Sequence, residues 1–170
     1  MRTDEQDRVF REWLESHRNL IFKVVSIYAF APTDRDDLFQ EVAVQVWRSI
    51  PSFRGDCSVK SWIYRVAVNS AIAWTKREAK HRKGKRPLGD DVTVLSQVET
   101  REHSRLEWLY DRIGELDDID RALTLMFLDG FTYGEIAVAL GITETNVGVK
   151  IHRLKSRLTQ LLQQEDANDD

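Results

Sequence analysis

One cysteine, three prolines and eight glycines in 170 residues leave this chain few devices for stapling or bending a fold. The single thiol, Cys57, permits no intramolecular disulfide, so packing must hold the structure, and the chain fits a reducing compartment. No apolar run approaches the roughly 20 residues a membrane-spanning helix needs. The opening MRTDEQDRVF lacks the apolar stretch of a signal peptide. A cytoplasmic protein without membrane insertion is expected. Signs of catalysis are missing too: His17, His81, His103 and His152 stand apart from any Cys or Glu at metal-ligand spacing. No Gly-rich phosphate loop or nucleophile elbow occurs. The residues therefore predict no enzyme, no metal and no other cofactor.

What is present is helical periodicity and unevenly placed charge. A net charge of −3 argues against a nucleic-acid partner, but the average hides an asymmetry. From Lys76 to Arg86 there are seven basic residues against the single acid Glu78, and Lys150 to Arg157 adds four with none. Acids gather at Asp90 and Asp91, from Asp117 to Asp120, and in the tail EDANDD.

Residues 5–30 read as a helix with Val9, Phe10, Trp13, Leu14, Leu20, Ile21, Val24, Val25 and Ile27 on its apolar face. Thr33 or Asp34 then caps a second helix, which Pro51 stops. Along that helix Leu38, Val42, Val46 and Ile50 recur every four residues, widened by Phe39 and Ala43, so this face is expected to be buried. Asp37, Gln40, Glu41, Val44, Trp47 and Arg48 share the opposite face, a polar surface ending in an aromatic. It suits a partner groove or helix, or a solvated face with Trp47 folded back on the core.

The loop 52–58 places Phe53, Arg54, Gly55 and Asp56 together, and Ser58 caps a third helix. Val59, Trp62, Ile63, Val66, Ala67 and Ala73 are its expected buried side, and Lys60, Tyr64, Arg65, Asn69 and Lys76 its wet one. Cations interleaved with flat and amide side chains suit single-stranded DNA, though a snorkelling amphipathic helix has the same pattern. Residues 84–104 lose periodicity and read as a flexible linker. From Arg105 helices return. Thr132 and Glu135 form a capping-box pattern, Gly141 turns the chain, and Thr143 caps a longer helix with Val147, Ile151, Leu154 and Leu158 inside. This is a helix-turn-helix. Glu144, Thr145, Asn146, Gly148 and Val149 are placed to meet base edges, while Lys150, His152, Arg153, Lys155 and Arg157 can reach phosphates. Beyond Gln163 an acidic, disordered tail is expected over 164–170. The fold class is thus all-α, two small helical domains joined by a linker.

DLFQEVAVQVWRSIPSFRG followed by SWIYRVAVN resembles region 2 of the bacterial RNA polymerase sigma factors, closest to the small extracytoplasmic-function group, and the helix-turn-helix resembles their region 4. The resemblance implies residues 1–83 as region 2, with core RNA polymerase binding through Asp37, Gln40, Glu41, Val44, Trp47 and Arg48. It further implies opening and reading of the promoter minus-ten element by Phe53, Arg54, Asp56, Lys60, Ser61, Trp62, Arg65, Asn69 and Lys76, the loop bordering a pocket for a flipped base of the non-template strand. Residues 105–163 would be region 4, reading the minus-thirty-five element through helix 143–158. An anti-sigma protein is an implied partner, and the linker, with Asp90 and Asp91, would thread through the polymerase.

One departure is Ser61 before Trp62, where housekeeping relatives carry two adjacent aromatics. If stacking on each is worth about 1–3 kcal/mol, melting is weaker and the promoter requirement stricter. The alternative reading is a stand-alone helix-turn-helix repressor or activator, which would bind a palindromic duplex site unaided.

Overall fold

The computed structural model describes the backbone of residues 3–82 and 101–168, and side chains of residues 4–80 and 108–164. It is all-α: seven α-helices and one short 3-10 turn, with no strand among the described residues. The chain divides into two compact units, Met1–Glu107 and Trp108–Asp170, the boundary falling inside the fourth helix.

The first unit packs α1 (Thr3–Tyr28), α2 (Pro32–Ser49) and α3 (Val59–Arg82) pairwise against one another. Leu38, Val42 and Val46 of α2 are fully buried, and Ile50 continues the stripe into the 3-10 turn Ile50–Ser52. They join Ile21, Val24 and Val25 of α1 and Ile63, Ala67, Val68 and Ala71 of α3. Each large aliphatic side chain so buried contributes about 1.5–3 kcal/mol.

Two expectations need correction here. The N-cap of α2 is Ala31, not Thr33 or Asp34, and it makes no side-chain cap; Pro32 opens the helix instead. Its ring pre-sets φ, and its missing N–H would have lacked an intrahelical partner anyway. In α3, Tyr64 is fully buried rather than wet, and Ala73 is exposed rather than buried. The cause is that α3 packs against both α1 and α2. Its buried face is therefore broader than the single stripe that periodicity describes, and it takes in Tyr64, Ser61 and Ser70.

The second unit contains the part of α4 (Arg101–Gly114) that follows Glu107, with α5 (Asp118–Leu128), α6 (Tyr133–Leu140) and α7 (Glu144–Asn168). Ile113, Leu123, Met126, Ile136, Val147 and Ile151 are buried in it. Asp117 caps α5 by accepting from the amides of Ile119 and Asp120. Arg121 donates to the carbonyls of Gly114 and Leu116 at 2.7 and 2.9 Å, satisfying acceptors that the end of α4 leaves open.

The linker predicted over 84–104 lies outside the described residues up to 100, as do Asp90 and Asp91, while 101–104 already form the start of α4. At the other end α7 runs to Asn168, through positions where composition predicted loss of order from residue 164. Among the described residues no helix is long and apolar enough to cross a membrane.

Candidate nucleic-acid and partner interfaces

On α2, Asp37, Gln40, Val44 and Arg48 are exposed, whereas Glu41 and Trp47 are half-buried. The indole N–H of Trp47 donates to Asp7 Oδ1 at 2.8 Å, and Gln6 donates to the Trp47 carbonyl at 2.8 Å. Trp47 is thereby held against α1. Glu41 forms an ion pair with Arg77 of α3. A wet polar surface remains on this face, with Val44 as its exposed apolar point, and the Trp47 ring is turned towards α1.

The 3-10 turn and the loop after it bring three rings together. Phe53 meets Trp13 edge-on at 5.1 Å between centroids and Trp62 at 5.4 Å. The Trp62 N–H donates to Ser49 Oγ at 2.9 Å, and the guanidinium of Arg65 lies 4.3 Å above its ring. Each such aromatic pair is worth about 0.5–1.5 kcal/mol beyond its buried area. Trp62 therefore has its ring against Phe53, its N–H bonded to Ser49 and one face under Arg65.

Ser61 is buried and shares a 2.8 Å hydrogen bond with Ser58, whose hydroxyl also accepts from the Ser61 amide. It serves the start of α3. Arg54, Asp56, Lys60, Asn69 and Lys76 are exposed, and Arg65 and Phe53 half-buried. Sequence reading missed Trp13 and Ser49 as supports of this cluster, because contacts across the bundle carry no local spacing signal.

In the second unit the capping box at Thr132 and Glu135 is complete: each side chain bonds the other residue's amide. Gly141 sits in the left-handed region at φ 67°, where a side chain would be strained, and lets the Ile142 amide reach the Ala137 carbonyl. Thr143 Oγ1 accepts from the Asn146 amide at 3.2 Å and caps α7. Val147, Ile151 and Leu154 turn inward, and Glu144, Thr145, Asn146, Val149, His152, Arg153 and Arg157 are exposed. Gly134 was not singled out by its sequence, yet a Cβ there would come within 3.0 Å of the Glu144 carboxylate. Its lack of a side chain thus makes room for the first residue of α7.

Two basic residues of α7 have partners within the unit. Lys150 forms a 2.5 Å ion pair with Asp120 of α5, and Lys155 lies 4.6 Å over the ring of Phe127. Gly148 packs beneath Tyr133, and an added Cβ would meet that ring at an ordinary 3.6 Å. Gly148→Ala is accordingly expected to stabilise the unit by about 1 kcal/mol through helix propensity, raising its melting midpoint by roughly 4–8 °C. A thermal melt followed by circular dichroism checks this; a lowered midpoint would mean that the Tyr133 ring cannot accommodate the methyl group.

Residues 13–81 match sigma-70 region 2, and residues 106–158 match sigma-70 region 4. The chain is 28% identical over 173 residues to the ECF RNA polymerase sigma-E factor of Haemophilus influenzae, covering 92% of this chain and 88% of that protein. It is 29% identical over 160 residues to the Escherichia coli sigma-E factor, covering 83% and 81%. With the RNA polymerase sigma-H factor of Pseudomonas aeruginosa the identity is 25% over 173 residues, covering 92% and 87%. Among solved structures, the sigma factor RpoE in complex with the anti-sigma factor NepR from Bartonella quintana shares the fold, with a TM-score of 0.72 at 17% identity, over 92% of this chain and 98% of that one. CnrH in complex with the cytosolic domain of CnrY gives 0.66 at 20% identity, over 92% and 89%. Two matched regions in this order, and relatives of one kind along nearly the whole length, place the chain in the sigma-70 family of RNA polymerase sigma factors, in its extracytoplasmic-function group.

Proposed function

We propose that this protein is an alternative sigma factor, which binds core RNA polymerase in the cytoplasm and directs promoter recognition, DNA melting and transcription initiation. The observation that carries this reading is a region 2 unit and a region 4 helix-turn-helix in one chain. Residues 1–83 would engage the polymerase through the wet face of α2, led by Asp37, Gln40, Val44 and Arg48, with Glu41 and Trp47 set by their contacts to α3 and α1.

The cations Arg54, Lys60, Arg65 and Lys76, with Asn69, would meet the minus-ten element, Trp62 and Phe53 holding Arg65 and the loop in place. Helix α7, in the unit assigned to 105–163, would read the minus-thirty-five element through Glu144, Thr145, Asn146, Gly148 and Val149. His152, Arg153 and Arg157 would neutralise phosphates. The linker over 84–104 would join the two. An anti-sigma partner is part of this reading, supported by RpoE, whose structure is a complex with one. The chemistry of initiation would stay with the polymerase, and this chain would supply recognition without a cofactor.

The test is transcription in vitro with purified core polymerase on a library of upstream fragments. Start sites that depend on the protein and share a two-part asymmetric motif are expected. Failure to bind core, together with footprints on palindromic duplex sites, would favour the stand-alone regulator.

A further inference from the structure

Helix α7 carries its cations in two arrangements. Arg153 and Arg157 are exposed on its surface. Lys150 instead turns to α5, where its Nζ lies 2.5 Å from Asp120 Oδ1, and both side chains are largely covered, at 28% and 22% exposure. Asp120 is fixed from behind. Its amide is bound by the Asp117 cap, and its carbonyl accepts from Thr124 Oγ1 at 2.7 Å. The carboxylate is thus presented by a rigid first turn, and a lysine in the second turn of the recognition helix is neutralised from within the protein.

We propose that Asp120 is a specificity-determining residue: by holding Lys150 it withdraws one sequence-independent phosphate contact from helix α7. The inference rests on the reading of α7 as the duplex-contacting helix. A lysine bound to phosphate adds affinity for every sequence alike, since counterion release takes no account of bases. A charge so withdrawn leaves base-edge contacts a larger share of the binding free energy, which widens the gap between the promoter and bulk DNA.

The experiment measures binding of the full chain to a random-sequence duplex as salt is varied, for four proteins. Asp120→Asn keeps the shape of the first turn and removes the charge. Its affinity is expected to fall more steeply with salt than that of the wild type, the slope growing by about 0.9. Between 50 and 200 mM salt that is roughly a further threefold loss. Adding Lys150→Met in the same chain is expected to return the slope to the wild-type value. Asp111→Asn removes an equal charge from α4 with the pair intact, and is expected to leave the slope unchanged. Arg153→Ala is the reference for a lost phosphate contact, with a slope smaller by about 0.9.

The proposal is overturned if Asp120→Asn leaves the slope unchanged while Arg153→Ala lowers it. It is equally overturned if the double variant loses as much as Arg153→Ala, because Lys150 would then already contact DNA in the wild type. If neither Arg153→Ala nor Asp120→Asn alters binding, α7 is not the DNA helix, and the functional reading falls together with the inference. A melt of each variant confirms that the second unit is folded at the assay temperature.

Discussion

Trp62→Ala is expected to destabilise the first unit by about 3 kcal/mol, the low end of the range for removing a large aromatic from a core, because Trp62 is only half-buried. Three contacts disappear together: the ring contact with Phe53, the bond to Ser49 Oγ, and the platform beneath Arg65. At roughly 4–8 °C per kcal/mol for a domain of this size, the melting midpoint drops by on the order of 15 °C. Trp62→Phe keeps most of the ring contact and loses the N–H bond, a smaller cost of about 1 kcal/mol. Promoter opening, read by reactivity of unpaired bases in the polymerase complex, should fall with stability, in the order wild type, Trp62→Phe, Trp62→Ala. Opening lost with the melting midpoint unchanged would show that the indole works directly on DNA rather than as a support for Arg65 and the loop.

Ile136→Ala should have the largest effect on the second unit. Ile136 is fully buried in the short helix α6, and such truncations cost about 2–5 kcal/mol. A core this small supplies only about 3–5 kcal/mol in total, so the variant unit is expected to be substantially unfolded under assay conditions. Hydrogen exchange is the discriminating measurement: amides of α5 to α7 should lose protection, while those buried in the first unit keep theirs. Initiation that depends on the minus-thirty-five element should be lost, and core binding retained. Unchanged protection in α5 to α7 would mean that the cavity collapses or that stability is supplied elsewhere.

The stripe Leu38, Val42, Val46 and Ile50, the Thr132–Glu135 capping box and the Gly141 turn were all legible in the sequence, because each is set by residues within one or two turns of helix. Positions decided by a distant partner were not. Tyr64 went to the core because two helices, not one, cover α3. The carboxylate that holds Lys150 stands thirty positions earlier in the chain, and the bond that turns the Trp47 ring towards α1 is made to Asp7, forty positions away. Ser61 stands where the resemblance implies a second aromatic, and its hydroxyl completes the start of α3, where a bulky ring would displace the bond to Ser58. Local chemistry therefore sets the helices and their caps, and packing decides which side chains of each stay exposed.

The bond from Trp47 to Asp7, and that from Gln6 to the Trp47 carbonyl, also bear on how such a chain can diverge. Positions 6 and 7 lie some forty residues from position 47 in sequence yet share one structural obligation with it. A mutation at Asp7 that leaves its own helix intact unseats a tryptophan on the face proposed to meet the polymerase. Selection on that face thus reaches back into the opening turns of α1, and drift there is expected to proceed by paired replacements rather than single ones.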